Sequence, residues 1–196
     1  MATRSGKQLL GREDWIAAAL DALAVGGVGA VAVDRLAKRL GASRGSFYWH
    51  FSDRGELIVA ALEHWEREHT TEPIPGAVAI SDPTERLRYV FREVYEQPVD
   101  MIEIALAAVS DDPLVTPVFA RVTRTRLAFL RAIFSELGLS AAEAHDRAWL
   151  AYAFYTGHHR LGRNREVRDE QPQQLDRIVD LLTGPPVGRT VDGRPG

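Results

Sequence analysis

The sequence contains no cysteine. This absence excludes disulfide bonds, thiolate zinc sites, iron–sulfur clusters and a cysteine nucleophile. No apolar stretch reaches the roughly 18 residues that a membrane-spanning helix needs. The first residues carry charges without the apolar run that a secretory signal requires. We therefore expect a cytoplasmic protein that makes no contact with a membrane.

Lysine is scarce, and the charge of the chain is unevenly distributed. The 196 residues carry a net charge of −3. Residues 1–54 nevertheless hold eight Lys or Arg against five Asp or Glu. Hydrophobic residues make up 45% of the chain and charged residues 26%, which favours a packed core over a disordered chain. A basic N-terminal quarter beside an acidic remainder suggests that a polyanion binds at that end.

Apolar residues recur at helical spacing along most of the chain, and no segment shows the sustained alternation of a strand. The pattern predicts an all-α fold. A Pro- and Gly-containing segment, 70–82, is predicted to be a linker. Ser140 and Glu143 have the spacing of a capping box at the start of one helix. The predicted helices, about nine in number, cover 12–25, 33–40, 44–51, 53–69, 83–97, 98–109, 113–137, 140–160 and 171–183.

The spacing between residues 33 and 51 predicts a helix-turn-helix. Two short helices are joined by a turn that contains Gly41, and Ala37 stands where the second helix must pack closely. Ser43 is placed to cap the second helix. Phe47 and Phe51 are four residues apart, so we expect both of them on its buried side.

The other side chains of the second helix lie around the rest of its surface. Arginine can read guanine, an aromatic edge can contact a thymine methyl group, and hydroxyl or imidazole groups can bind phosphate. This composition is what a recognition helix in a major groove needs. The alternative is that Tyr48 and Trp49 form a packing cluster, with Arg44 a solvated charge and His50 a surface residue.

The segment from Trp15 to Leu62 resembles the DNA-binding domain of the TetR family of bacterial transcriptional regulators. The resemblance implies a helix-turn-helix domain over 1–54 that leads into a connecting helix at 53–69. It also implies a ligand-binding and dimerisation domain over 55–183, followed by a tail at 184–196 that we expect to be disordered. The residues that carry it are Leu36-Ala37, the run LGASRGSFYWHF at 40–51, Asp53-Arg54 and Leu57.

The resemblance implies which residues contact DNA. Arg44 and Ser46 stand at positions that contact bases or nearby phosphates, with Ser43 and Gly45 beside them. These four residues begin the second helix of the motif. We therefore expect sequence reading to depend on this end of the helix.

Phosphate contacts are expected from the residues that follow. Tyr48 and His50 resemble the family's phosphate-binding pair, and Trp49 between them should face the groove. Arg54 replaces the usual Lys and should hold a phosphate near the start of the next helix. One departure is that residues 31–33 offer no hydroxyl at the start of the first helix of the motif. That contact must come from backbone N–H groups, come from Arg35, or be absent.

The resemblance further implies a ligand-responsive regulator. We expect a repressor that binds a palindromic operator in double-stranded DNA as a homodimer and is released by a small apolar or amphipathic molecule. The homodimer should form through helices 140–160 and 171–183, although packing within one chain would explain their apolar residues equally well. An ordinary helical core would likewise explain the aromatic residues. The candidate ligand-lining residues are Met101, Phe129, Trp149, Tyr152 and Thr156.

No recognisable catalytic motif occurs in the sequence. No pair of histidines has the i, i+4 spacing of a helical metal site. We therefore expect no enzyme activity, no metal and no cofactor. Two other functions remain open. One is a sequence-tolerant DNA-binding protein without a ligand switch, and the other is a helical protein whose C-terminal pocket performs chemistry or transport.

Overall fold

The computed structural model describes residues 10–96, 100–109, 111–161 and 175–184. These residues contain ten α-helices and no strand, which confirms the all-α fold. None of the helices in these ranges has a stretch long and apolar enough to cross a membrane. The helices are α1 Arg12–Ala30, α2 Val33–Leu40, α3 Arg44–Tyr48, α4 Arg54–Glu66, α5 Pro73–Val78, α6 Pro83–Glu96, α7 Met101–Ala107, α8 Thr116–Glu136, α9 Ala141–Leu161 and α10 Leu175–Thr183.

The helices form two compact units that do not follow chain order. The first unit comprises Met1–Gly76 and Pro98–Arg126, and the second comprises Ala77–Gln97 and Leu127–Gly196. The predicted functional division into 1–54 and 55–183 stays a prediction. The charged loop at 162–170, residues 171–174 of the last predicted helix and the tail beyond Gly184 lie outside the described residues.

The core of the first unit joins α1 to α4 with α7 and the first part of α8. Trp15, Phe47 and Trp65 are its largest side chains, and none of them is exposed to solvent. The Phe47 ring contacts Trp15 edge-on at 5.4 Å between centroids and stacks on Phe51 at 5.6 Å. The predicted burial of Phe47 and Phe51 is therefore confirmed. Leu106 of α7 is buried in the same cluster.

The core of the second unit is built from α6, the last part of α8, α9 and α10. Leu87, Phe134, Ala148 and Val179 are buried in it, one from each of these helices. Arg86 lies beside this core, where its guanidinium donates to Glu136 at 2.9 Å and to the Ile80 carbonyl at 2.9 Å. The buried charge is stabilised because both kinds of acceptor are present.

The capping box predicted at the start of α9 is confirmed. The Ser140 hydroxyl and backbone N–H donate to Glu143 at 2.6 Å and 3.1 Å, and the Glu143 N–H donates back to Ser140 Oγ at 3.4 Å. The helix begins at Ala141, one residue later than predicted. A side-chain signal at a helix start thus placed the boundary closely.

Helix α1 is interrupted at its predicted end and continues for one turn beyond it. The helix departs from α geometry at Gly26 and Gly27, where Gly27 has φ of +61°. That left-handed conformation is accessible to glycine without strain. One further turn follows and extends α1 to Ala30. The predicted end at the Gly pair therefore marks a break in the helix.

The segment 70–82, predicted to be a linker, is partly helical, and the boundary between the two units falls inside it, after Gly76. A π-helical turn covers Arg67–Thr71, and α5 follows at Pro73–Val78. Both prolines of this segment, Pro73 and Pro75, fall in the first turn of α5. The N–H groups of a first helical turn have no acceptor within the helix, so a missing donor costs little there.

Two helices of the C-terminal part begin later than predicted. Helix α7 begins at Met101, where Asp100 Oδ1 accepts from the N–H groups of Ile102 and Glu103 at 2.9 Å each. Helix α8 begins at Thr116 and not at residue 113. The reason is a turn at Asp112, whose side chain accepts from Leu114 N–H at 2.8 Å. Residues 97–99 and 110, at the predicted starts, lie outside the described ranges.

Candidate nucleic-acid interface

The turn between α2 and α3 is set by one glycine and one serine. Gly41 ends α2 with φ of +63°, which again favours glycine. Ser43 caps α3, because its hydroxyl oxygen accepts from Ser46 N–H at 3.2 Å. Gly45, in the first turn of α3, is exposed. The predicted helix-turn-helix is thus present, with its caps on the residues that the sequence indicated.

Helix α3 is shorter than predicted. It was expected over 44–51 and ends at Tyr48. The Phe47 carbonyl accepts from the N–H groups of both His50 and Phe51, at 2.9 Å and 3.1 Å. This tightening turns the chain inward, so that Phe51 joins the core. Trp49 therefore stands on the turn that follows the helix.

The two sides of α3 have opposite environments. Phe47 is fully buried, whereas the indole of Trp49 is 87% exposed. Tyr48 is also exposed, although its ring contacts Phe47 edge-on at 5.1 Å. The alternative of a packing cluster does not hold for Trp49, because an indole so exposed gains little from intrachain packing.

Arg44 projects from the first turn of α3 beside two side chains. Its Nε atom lies 3.7 Å from Asp34 Oδ1 of α2. The pKa of Arg44 is raised above its ordinary value, first by the hydrogen bond to Tyr48 and second by the charge of Asp34. The guanidinium is therefore a permanent positive charge on the exposed face of the motif.

His50 is half-buried and lies against the N-terminal segment. Its Nε2 atom is 3.1 Å from the carbonyl oxygen of Leu10. The ring donates to this carbonyl in the tautomer that carries a proton on Nε2. His50 therefore holds the chain that enters α1, and its predicted phosphate contact stays a prediction.

Arg54 forms hydrogen bonds to backbone carbonyls that the sequence did not predict. Its Nε donates to the Val31 carbonyl at 2.5 Å, and its Nη2 donates to the Val28 carbonyl. Arg35 makes similar bonds, at 3.2 Å each, to the carbonyls of Gly29 and Ala30. Carbonyls at a helix end lack intrahelical donors and attract cations. Both arginines thus stabilise the end of α1, and a phosphate contact of either stays a prediction.

The five candidate ligand-lining residues are divided between the two units, and their proposed role stays a prediction. Phe129 and Tyr152 belong to the core of the second unit. Trp149 and Thr156 lie on the exposed side of α9, where the Thr156 hydroxyl donates to the Ala153 carbonyl at 3.1 Å. Met101 belongs to the first unit and is partly exposed.

The first unit contains a buried polar cluster that the sequence did not predict. Arg126 donates to Glu103 at 2.8 Å, to Thr70 Oγ1 at 3.0 Å and to the His69 carbonyl at 3.1 Å. Its guanidinium also lies 5.7 Å from the centre of the Trp65 ring. The available signal was a Glu inside the apolar run MIEIALA. No group of three or more potential metal ligands occurs in the part of the chain that the structure describes.

The fold and this face define a helix-turn-helix domain joined to further helices. Residues 16–61 match the model of the bacterial regulatory proteins of the tetR family. The HTH-type transcriptional regulator SrpR of Pseudomonas putida is 36% identical over 61 residues. The matched segment covers 31% of this chain and spans only 28% of that relative. The resemblance to the TetR family is thus confirmed on the helix-turn-helix segment.

Solved structures extend the likeness of fold to the C-terminal helices. A transcriptional regulator from Rhodococcus sp. Rha1 is similar with a TM-score of 0.73 and 22% identity, covering 89% of this chain and 95% of that one. FadR from Bacillus subtilis, solved with stearoyl-CoA, has a TM-score of 0.63 and 14% identity, covering 88% of this chain and 96% of that one. At these identities the likeness concerns the fold.

Proposed function

We propose that this chain is a transcriptional regulator of the TetR type that binds operator DNA as a homodimer. The observation that carries the proposal is the exposed face of α3 and its following turn, which presents Arg44, Tyr48 and Trp49 from a buried anchor at Phe47. A permanent cation and exposed aromatic edges are suited to base edges in a major groove. The match of residues 16–61 to the tetR family supports the same function.

Each side chain of this face has a distinct proposed role. Arg44 reads guanine, and Trp49 contacts thymine methyl groups or sugar at the groove edge. Ser46 and the Ser43–Gly45 backbone lie close to the same bases. Contacts that position the protein on phosphates come from Tyr48, His50 and Arg54.

Homodimerisation through α9 and α10 is supported by apolar side chains on their exposed sides. Leu150 of α9 is 61% exposed and Leu181 of α10 is 78% exposed, with Trp149 and Leu161 also accessible. A second copy of the chain would cover these residues by isologous packing. Two α3 helices would then reach half-sites about 34–36 Å apart on a near-palindromic operator.

The proposed control is repression that a small apolar or amphipathic molecule relieves. The core of the second unit contains stacked aromatic pairs, Phe91 with Phe154 at 5.7 Å and Tyr152 with Tyr155 at 5.8 Å. Such surfaces suit an apolar ligand with few polar groups. FadR of the same fold was solved with stearoyl-CoA. The effector must bind the DNA-incompetent state more tightly, since equal affinity for both states shifts nothing.

The first test is selection of bound sequences from a random double-stranded DNA pool by the purified chain. The salt concentration is held near the physiological value, because phosphate contacts dominate affinity. An enriched inverted repeat is the expected result and provides a defined duplex. Binding without enrichment would replace the proposal by the sequence-tolerant alternative, and absence of binding would overturn it.

The effector is tested next on the selected duplex. Stearoyl-CoA serves as an amphipathic probe, and coenzyme A without the acyl chain is the matched control. Release by the acyl form alone would support an apolar ligand site. Release by both forms would instead indicate that the nucleotide part is recognised.

A further inference from the structure

Arg44 and Asp34 form an ion pair across the two helices of the motif. Asp34 lies in the first turn of α2, and Arg44 lies in the first turn of α3. Both side chains are largely solvent-exposed, with Asp34 at 75%. Exposed pairs contribute little to folding stability. The significance of this pair therefore depends on what Arg44 does at the DNA.

The Asp34 carboxylate lies on the Nε side of the Arg44 guanidinium. The distance between Arg44 Nε and Asp34 Oδ1 is 3.7 Å. Recognition of guanine uses two parallel N–H groups of an arginine, directed at O6 and N7. The Arg44 side chain also forms a hydrogen bond with Tyr48, so two partners hold the guanidinium at the start of α3. Asp34 thus contacts Arg44 at Nε and helps to orient the guanidinium.

The charge of Asp34 acts on any DNA that approaches this face. A carboxylate beside the reading arginine repels phosphates and cancels much of the attraction of Arg44 for them. A guanine in the right register repays this loss through two directed hydrogen bonds, whereas non-cognate DNA does not. Specificity arises from such a penalty against wrong partners as much as from attraction to the right one.

We propose that Asp34 is a specificity-determining residue, which positions Arg44 for guanine and lowers the affinity for non-cognate DNA. The inference rests on the proposed function, since it needs α3 to enter the major groove. It assigns a role in DNA reading to a side chain of α2, outside the helix that reads the bases.

The test compares Asp34→Asn with Asp21→Asn in the full chain. Asp21 is a matched control because it is 73% exposed, lies in the same unit and pairs with Arg39 of α2 at 3.2 Å. Both variants change the net charge by the same amount. Asp34→Glu keeps the charge and the acidic first turn of α2, and so shows whether a carboxylate at this position is sufficient.

Affinities are measured for the wild-type selected duplex and for a scrambled duplex of equal composition, at 50 and 200 mM salt. For Asp34→Asn we expect the affinity for the selected duplex, relative to that for the scrambled duplex, to fall about three- to tenfold. The variant should bind scrambled DNA more tightly and should discriminate less at one base pair. The slope of log affinity on log salt should steepen by up to about 0.9, which adds about a threefold loss between the two salts. Asp34→Glu should retain most of the wild-type ratio.

The possible failures are distinguishable. If wild type selects an operator and Asp34→Asn changes the ratio no more than Asp21→Asn does, the effect is one of general charge and the inference is overturned. An unchanged affinity for scrambled DNA in Asp34→Asn would also overturn it. If wild type selects no sequence, the proposed function fails and this inference fails with it.

Discussion

The chain exposes a tryptophan in each of two helical settings, and the neighbours of each indole differ. Trp49 follows α3 among Arg44, Tyr48 and His50, close to an ion pair. Trp149 lies on α9 in the unit that also exposes Leu150, Leu161 and Leu181. An exposed indole among polar and cationic groups suits a hydrated, charged partner. One among aliphatic groups suits a dry interface with another protein surface. The neighbours of the indole therefore decide its proposed partner.

The largest expected effect comes from removing the anchor beneath Trp49. Phe47→Ala should lower the free energy of unfolding by about 3–5 kcal/mol, because the ring is fully buried. Phe134→Ala is the matched control in the core of the second unit. Urea unfolding should show similar losses for both variants. Only Phe47→Ala should abolish DNA binding under conditions where both variants are folded. Equal loss of DNA binding in both variants would show that the two cores do not differ in their effect on binding.

The next effect separates the two tryptophan surfaces by oligomeric state. Leu150→Glu should weaken dimerisation by about two orders of magnitude or more, because a carboxylate would be buried without a partner. Trp49→Glu should leave the dimer intact and lose DNA binding. Sedimentation equilibrium measures the first property and duplex binding the second. A dimeric Leu150→Glu together with a monomeric Trp49→Glu would reverse the assignment.

Arg44 should carry base preference. Arg44→Ala is expected to cost about 1–3 kcal/mol of discrimination at one base pair, with a smaller change for scrambled DNA. Competition between the selected duplex and single-base variants measures this discrimination. Arg54→Ala is the comparison, since loss of a phosphate contact should weaken all sequences alike. Equal base preference in Arg44→Ala and wild type would contradict the role.

Arg54 tests whether a residue at the edge of the motif serves folding, DNA binding or both. Arg54→Ala should lower the free energy of unfolding by about 1–2 kcal/mol, because two carbonyls at the end of α1 lose a charged donor. It should also weaken binding to all duplexes alike and reduce the salt slope by about 0.9. Altered base preference with intact affinity would show that the phosphate role is wrong.

The smallest effect concerns two capping glutamates, one in each unit. Hydrogen bonds lower the pKa of Glu143, with the Ser140 hydroxyl first, and the pKa of Glu56, with the Ser52 N–H first. A lowered pKa in the folded state adds stability above the unfolded value, about 4.3, that is lost as the pH falls through the folded value. Ser140→Ala should therefore reduce the loss of folding stability at low pH more than Ser52→Ala does. Thermal unfolding from pH 7 to pH 3 provides the measurement, and an equal response would contradict it.

The sequence predicted those features that depend on local signals. Gly41, Ser43 and the Ser140–Glu143 pair marked helix boundaries because each satisfies backbone groups within a few residues. The spacing of Phe47 and Phe51 identified the buried side of α3 for the same reason. The exposed face of α3 was predicted from the residues that remain once Phe47 and Phe51 are assigned to the buried side.

Features that depend on distant residues were missed. The carbonyl partners of Arg54 are 23 and 26 residues earlier in the chain, and the partners of Arg126 come from the π-helical turn and α7. The helical turns within 70–82 were not predicted because proline usually breaks a helix, whereas in a first turn it does not. The turn in which Leu114 N–H donates to the Asp112 side chain similarly makes α8 begin later than the sequence predicted.

The interleaved core of the first unit has a consequence for how the protein is made. Leu106, Val115 and Val118 are buried in the same cluster as Trp15 and Phe47. A ribosome adds roughly 5–20 residues per second and delivers α1 to α4 well before α7 and α8. In the nascent chain, the apolar face of the helix-turn-helix is therefore uncovered until α7 and the first part of α8 have been made. Full burial of the Trp15 and Phe47 side chains therefore requires synthesis of the chain through the first part of α8.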